Sequence, residues 1–556
     1  MVSLFNALNI SSNALTVNES AISVVSHNVA NMNTEGYSKQ KVHLATRNIA
    51  GAIGDSTEAQ VRANGGVMIA NVMRYNDSYL NNYYRDQLSI LKGYEAQLGN
   101  LGDLEDVFND LEGEGISGAL ASFYEAVNNL QEYPASSTAR VNFIEAAKTL
   151  TSTLNAKSAQ LSEMTGKALG DGVSQESLEA SKIYQEFSVF NDKLEELAEV
   201  NKALQVTQTG TLEANNLLDK RDMILNDIAE FVDIKIEENP HNGSVTLSIG
   251  GQVLVKGAEV KGELNIQTAK SYYEQHRDIY PNEYPQDWVT ADGKPREAAI
   301  ISIVTKTETG AVTPIIEDAN SIIKGGSLGG LLHSTDTDAE GMNAGKAMDA
   351  LNTIALTVAN EFNRLNTRPG AYCINPNDTG LLQESNAKNF IFGEPIEKID
   401  PNTGDTIYVL EGVTAANIGL NSNMLTDDGI WNISCAYFEN VDPANIDKRA
   451  VGNAQNAVDM LGVRNTKFTD LGNMTIEDYY TGLLGKIAAG GSNMQALVET
   501  QSNVVDSIHN KILSNNSVDL NEELVDLVKY QTAYSASAQV FNTCNSCLDV
   551  LMTLGG

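Results

Sequence analysis

The feature that most constrains this sequence is a seven-residue rhythm confined to its two ends. Leu8, Leu15, Ile22 and Val29 recur at heptad spacing, beside a second column of Leu4, Ser11, Asn18 and Val25. Such columns run as a stripe along one side of a helix, so residues 4 to 31 predict a rod of roughly 40 Å at 1.5 Å per residue. At the other end Leu520, Leu527, Tyr534, Phe541 and Leu548 form one column, and Glu523, Tyr530, Ser537, Cys544 and Leu551 the next. They predict a second long helix with Asp519 as its N-cap. Each stripe pairs an apolar column with one diluted by polar or small residues. Polar groups at core positions weaken a coiled coil while restricting its register, so each end needs the other, or a neighbouring subunit, to be ordered.

Between the ends, helical periodicity runs through about 75–110, 117–131, 136–165, 174–205 and 213–232, and returns at about 337–365, 450–463 and 475–512. Residues 32–72 break it with Asn, Gly and spaced residues such as Tyr37, Val42, Val61, Val67 and Ile69, which suggest an extended segment or hairpin leaving the first helix. The period changes again near residue 233. Val245, Leu247 and Ile249 alternate, Gly250-Gly251 supplies a turn, and Val253 and Val255 resume the alternation, a hairpin signature. Apolar runs at 300–304 and 312–316 fit strands of the same unit, which closes around Gly325 to Gly330.

The chain therefore reads as an α+β multidomain protein. Long, paired, coiled-coil-like terminal helices (1–31 and 517–556) form an inner assembly core. A helical bundle or rod domain spans 32–232, 331–367 and 450–516, with its β excursion at 32–72. A central, outward-facing β-rich domain occupies 233–330. Residues 368–449, rich in Asn, Asp, Gly and Pro with short β-like stretches such as Thr406 to Leu410, read as an additional variable inserted domain at the surface.

Composition narrows the function. A formal net charge of -35, from 72 Asp plus Glu against 37 Lys plus Arg, repels phosphate backbones and anionic membrane surfaces. With 42% hydrophobic residues, the chain has enough apolar surface for packed cores. No stretch approaches the ~18 apolar residues of a membrane span, and the first residues lack the basic and apolar regions of a cleaved secretory signal. The four cysteines do not make a disulfide framework.

Four patterns that carry chemistry elsewhere fail on context. Gly113 to Gly118 matches GxGxxG, but a helical stretch precedes it where the dinucleotide fold needs a strand. Asp103, Glu105, Asp106, Asp110, Glu112 and Glu114 would also repel a phosphate. Asp336 to Gly341 begins like a calcium-binding loop, yet Ala347 stands where the bidentate Glu is required. Acidic residues in the first turn of a helix account for that run. Cys544 and Cys547 have redox or metal spacing but fall inside the C-terminal heptad helix, where they read as small side chains facing a packed stripe. The six histidines show no ligand spacing. The expectation is a non-enzyme with no catalytic, cofactor or metal site.

A resemblance sharpens this reading. Asn28 to Ser38, an Asn-rich stretch ending in Gly36-Tyr37-Ser38, resembles the segment that follows the first helix in flagellar rod, hook and hook-associated proteins. Asn216 to Asp222, Gly326 to Leu332, and Val518 to Met552 with Asn521-Glu522-Glu523 and Tyr530 to Tyr534, resemble the hook-associated proteins of the hook-filament junction. The likeness covers residues 1 to about 365 and about 450 to the end. It implies a secreted structural subunit of the bacterial flagellum, active in flagellum assembly and motility, that leaves the cell unfolded by type III export. The implied location is extracellular at the junction, and cytoplasmic before export. The implied partners are further copies of the chain in a ring, the hook protein, the second junction protein, and an export chaperone with the export apparatus, with no nucleic acid and no membrane insertion. Leu8, Leu15, Ile22, Val29, Leu520, Leu527, Tyr534, Phe541 and Leu548 are the expected assembly interface. Leu520, Leu524, Leu527, Tyr534 and Phe541 are the expected chaperone-binding residues. The alternative is a secreted adhesin or other surface binding protein with exposed central domains, which would explain the insertion but not the paired terminal heptads.

Overall fold

The computed structural model describes residues 2–48, 64–109, 115–271, 299–306, 312–316, 321–399, 406–426, 428–439 and 441–554. Val61, Gly113 and the acidic residues Asp110, Glu112 and Glu114 lie outside the described residues.

Helix α1 (Val2–Ala30) leads into a two-stranded antiparallel hairpin, β1 (Gln40–Asn48) and β2 (Asn64–Arg74), which is the excursion seen in the sequence. Five helices follow: α2 (Ser78–Phe108), α3 (Gly115–Glu132), α4 (Ser137–Leu169), the short α5 (Gln175–Ala180) and α6 (Lys182–Val206). The single helix expected over 174–205 is thus two. Ser181 ends one, and its side chain accepts from the Tyr184 amide to cap the next. Helix α7 (Leu212–Phe231), capped by Thr211, completes this part.

The β unit begins with β3 (Lys235–Glu238), β4 (Val245–Ile249), β5 (Gln252–Lys256) and β6 (Glu259–Val260) in one four-stranded antiparallel sheet. The β4–β5 turn is Gly250-Gly251, with φ of +52° and +90°. Two positive φ values in a two-residue turn match the right-handed twist of the strands, and glycine adopts both without strain. A second sheet holds β7 (Glu263–Thr268), β8 (Ala299–Lys306) and β9 (Val312–Ile316).

Helix α8 (Gly326–His333) then returns across α2 at very short range. A Cβ on Gly330 would meet the Gly93 carbonyl oxygen of α2 at 2.5 Å, and one on Gly326, whose φ is +61°, would come within 2.1 Å of the Phe231 backbone. The glycine-rich block at 326–332 is therefore a packing requirement, where backbone meets backbone.

Helix α9 (Ala344–Thr367) starts at an Asn343 cap that accepts from the Lys346 amide, so the acidic run at 336–340 lies in the turns before it and not in its first turn. The chain next forms β10 (Ala371–Asn375), β11 (Asp378–Glu384), the hairpin β12 (Ile396–Ile399) with β13 (Thr406–Val409), and β14 (Ala436–Tyr437), which pairs with β10. Helices α10 (Gln455–Gly462), α11 (Ile476–Asn516) and α12 (Leu520–Leu554) finish it. Asp519 Oδ1 accepts from the amides of Asn521 and Glu522 at the start of α12, as an N-cap does.

Two large cores hold the molecule. One joins α2, α3, α4, α9, α10 and α11, with a ring cluster of Phe123, Phe143, Phe362 and Phe392 at its centre. Ile391, Phe392, Ala415, Ile418 and Ile433 are part of it, so residues 368–449 are not wholly a surface insertion: their apolar residues complete the helical core. The other core packs the sheets onto α5, α6, α7 and α8. No helix among the described residues is long and apolar enough to cross a membrane.

A buried ion network ties the hairpin to α2 and α7. Asp222 sits among Arg74 (2.7 Å), Arg221 (2.8 Å) and Arg85 (3.3 Å), while Arg74 also reaches Asp219 (2.8 Å). Burial opposes ionisation of Asp222, but the guanidiniums of Arg221, Arg74 and Arg85 overcome it and hold its carboxyl well below the usual range. Asp219, with Arg74 alone at ion-pair distance, is instead pushed up by burial. A group with a depressed native pKa stabilises the fold above its unfolded value and loses that contribution as pH falls through the native one. Asp222→Asn is therefore expected to destabilise the protein by about 3–5 kcal/mol at neutral pH, since three guanidiniums lose their shared partner. The gap to the parent protein should narrow below about pH 4, where the unfolded chain's Asp takes up its proton. Urea unfolding midpoints across that range measure both.

Candidate assembly interface

Helices α1 and α12 run antiparallel. Asn28, near the end of α1, meets Glu523, near the start of α12, while Ala21, Val24 and Val25 pack on Tyr530 further along. Both chain termini therefore emerge at the same pole. The orientation suits the local charges, because Glu522 and Glu523 occupy the first turn of α12, where a helix favours negative charge.

The columns facing inward are the diluted ones. On α1 the buried residues are Ser11, Asn18 and Val25, joined by Val17, Ala21, Val24 and Asn28; on α12 they are Glu523, Tyr530 and Cys544. Small residues let the two helices approach closely. The apolar columns are left partly open: Leu8, Leu15, Ile22, Val29, Leu527, Phe541 and Leu548 are half-buried, and Leu520, Leu524 and Tyr534 are exposed. Cys544 faces the seam but Cys547 is exposed, so only one of the two faces the stripe.

A polar latch closes the hairpin end of this pair. The Asn28 side-chain amide donates to Glu523 Oε2 (3.0 Å) and to the Gln40 carbonyl (2.8 Å). Its Oδ1 accepts from the Gln40 amide (3.0 Å) and the Tyr37 hydroxyl (2.7 Å). Lys39 Nζ binds Glu522 (2.6 Å) and Glu523 (3.4 Å), and the Lys39 amide donates to the Asn516 carbonyl (2.9 Å) where α11 ends. Burial opposes the charge of Lys39, but Glu522 and Glu523 raise its pKa above the ordinary value. Burial, with the nearby Asp219 and Glu523 charges, likewise pushes the Tyr37 phenol up, so it is a donor throughout the ordinary pH range.

The latch continues into α7. The Ser38 amide donates to Asp219 (3.2 Å), Gln40 Nε2 to Asn216 (3.1 Å), and Asn215 Nδ2 to both Gln40 Oε1 (2.9 Å) and the Val72 carbonyl (3.0 Å). Three sequence blocks far apart in the chain, 28–40, 215–222 and 522–523, thus meet at one point. Lys39, Gln40 and Asn215 were not among the residues expected from the sequence, because their side-chain partners lie more than a hundred residues away. Asn28 was findable: it continues Ala7, Ala14 and Ala21 at seven-residue spacing, three residues beyond the column of Leu4, Ser11, Asn18 and Val25. Among the described residues there is no group of His, Cys, Asp and Glu able to hold a metal ion.

This geometry, two terminal helices latched to a hairpin with apolar edges left open, is that of a structural protein, and likenesses to known proteins say of which kind. Residues 8–37 match the family "Flagella basal body rod protein", and residues 510–554 match "Flagellar basal body rod FlgEFG protein C-terminal". Residues 101–370 match "Flagellar hook-associated protein FlgK helical domain". The whole chain is 26% identical over 573 residues to flagellar hook-associated protein 1 of Bacillus subtilis, covering 100% of both. It is 22% identical to that of Salmonella typhimurium, over 98% of this chain and 99% of the relative. The flagellar hook junction protein FlgK from Burkholderia pseudomallei shares the fold, with a TM-score of 0.53 at 14% identity over 79% of this chain and 100% of that one. Along its whole length the chain is thus similar to flagellar hook-associated protein 1, and these likenesses are to structural proteins of the flagellum and not to enzymes. The adhesin alternative gains nothing from these likenesses.

Removing the centre of the latch should loosen the termini without unfolding the rest. Asn28→Ala leaves the Gln40 backbone without its partner and Glu523 with Lys39 alone, at roughly 1–3 kcal/mol for each buried group left unpaired. Hydrogen exchange should accelerate in α1 and α12 while the ring cluster in the helical core keeps its protection.

Proposed function

We propose that this chain is the subunit that joins hook to filament, assembling into a ring through its terminal helices. The observation that carries this reading is the open apolar column on each helix of a pair whose polar column is already closed. Leu8, Leu15, Ile22, Val29, Leu520, Leu527, Tyr534, Phe541 and Leu548 are the residues assigned to contacts between subunits, with the hook protein on one side and the second junction protein on the other. The chain is part of the flagellum, and its assembled place is extracellular, after passage through the type III export apparatus. The core, being shared among helices, is insulated from these contacts. Phe541→Ala is accordingly expected to leave the isolated subunit folded while weakening assembly by roughly 3–5 kcal/mol per fully enclosed site. Antibody to the chain should label a narrow zone between hook and filament, and the variant should lose that zone along with swimming. Labelling along the whole filament, or none, would sink the proposal.

The same edge is assigned to an export chaperone in the cytoplasm. Leu520, Leu524, Leu527, Tyr534 and Phe541 on one helix would aggregate if left open, and a hydrophobic groove on a partner removes the hazard. Binding to chaperone and to neighbours is then mutually exclusive. Truncation after Asn515 is expected to abolish capture of the chain by its chaperone in a pull-down, and retained capture would refute a shared surface.

A further inference from the structure

Residues 374–434 leave and rejoin the molecule through two paired strands, β10 and β14. The pairs are Ala371 with Tyr437 and Tyr372 with Ala436. The same register sets Cys373 opposite Cys435. The Phe438 amide donates to the Gly370 carbonyl (2.9 Å), which makes 370 and 438 a hydrogen-bonded pair. Such pairs alternate along an antiparallel ladder, so 372 and 436 are the next, and 373 with 435 falls at a position without mutual backbone hydrogen bonds. There opposite Cα atoms stand about 4.5 Å apart and their side chains lie on one face, within the separation of about 4.4–6.8 Å that a disulfide requires.

The surroundings of the two sulfurs are unusual. Both thiols are buried, at 0% and 2% exposure, and free in this structure. Gln383 Nε2 points at Cys373 Sγ (3.6 Å), and Arg140 Nη2 at Cys435 Sγ (3.2 Å). Arg140 is itself fully buried on α4. Its other hydrogen bonds go to the carbonyls of Pro134 (3.0 Å), Ile430 (3.0 Å) and Ile433 (2.8 Å), and its guanidinium lies 5.5 Å from the Trp431 ring. Burial pushes the Cys435 thiol up, the Arg140 guanidinium pulls it down, and Cys373 is near enough to push it up again.

We infer that Cys373 and Cys435 are a cross-strand disulfide site that closes the neck of residues 374–434 where it meets the helical core. The oxidant is a low-molecular-weight disulfide. One cysteine thiolate attacks it and releases one thiol, and the other then attacks the mixed disulfide and releases the second. Two S–H bonds and one S–S bond become one S–S bond and two S–H bonds, with the two electrons carried away by the small thiols. Because both sulfurs are enclosed in the finished fold, the exchange occurs while the strands are pairing. Passage of an unfolded chain into an oxidising exterior supplies that moment, and this part rests on the export reading above; the bond itself does not.

The test uses the purified full-length chain, so its failure would leave the junction reading untouched. The chain is refolded from denaturant with oxidised and reduced glutathione, then alkylated and digested. Of the four thiols two should remain, at Cys544 and Cys547. Cleavage at Lys388 and Lys398 separates the two cysteines, so a single linked peptide pair containing Cys373 and Cys435 is expected. Adding a dithiol should lower the thermal midpoint of the oxidised chain. A Cys544→Ser, Cys547→Ser double variant should keep the bond and show no reactive thiol. If refolding is incomplete, native chain held with the same glutathione pair in sub-denaturing urea gives the same count. Four reactive thiols in the refolded chain, or a bridge that includes Cys544 or Cys547, would overturn the inference.

Discussion

Asn28 is a neutral amide enclosed between two helices, and all of its hydrogen-bonding capacity is used. Its two donors serve a carboxylate and a carbonyl, and its one oxygen takes a backbone amide and a phenol. Without it the Gln40 backbone would lose its partner in a dry interior, and Glu523 would keep only Lys39. The side chain thereby fixes three things at once: where α1 ends, how β1 departs, and which turn of α12 lies alongside. From β1 the constraint passes through Ser38 and Gln40 to α7, and from Arg74 on β2 through Asp219 and Asp222 to α2. The terminal pair is thus anchored to the body by these polar contacts together with a small apolar cluster in which Val24 and Val25 meet Val42 of the hairpin and Tyr530 of α12.

The body is built the other way. Its two cores are apolar and extensive, and its parts come close because glycine permits it, as where α8 lies against the backbone of α2 and of Phe231. Arg140, like the buried arginines around Asp222, is an exception, a fully buried cation that gathers carbonyls from 430 and 433 and so holds the segment after β13 against α4.

Much of this architecture was legible in the amino-acid order because it is local. Heptads at the ends, the Gly250-Gly251 hairpin and the Asp519 cap need only a few neighbouring residues to specify them. What sequence could not give is long range. The sequence showed both columns of each stripe, but not that the helices would close on the polar one and leave the leucines at the edge. Residues 368–449 look like a loop-rich insertion by composition, yet Ile391, Phe392 and Ile433 fill a core whose other walls are helices on either side in the chain. Short-range punctuation failed where one residue decides it: Ser181 divides a periodic helix, and Asn343 starts another seven residues beyond the acidic run's beginning.

A seam in which Ser11, Asn18, Asn28 and Glu523 are enclosed among valines, Ala21 and Tyr530 also bears on how the helix pair carries load. An oily seam is smooth, and its helices can slide past one another through a series of nearly equivalent registers. Here a displacement of α12 by a single turn, about 5.4 Å, would carry Glu523 and Lys39 away from their partners all at once. The pair therefore behaves as a detent: it yields little to axial shear up to a threshold and then releases cooperatively. That places the mechanical stop of the helix pair at the buried amide, apart from the half-open apolar edges.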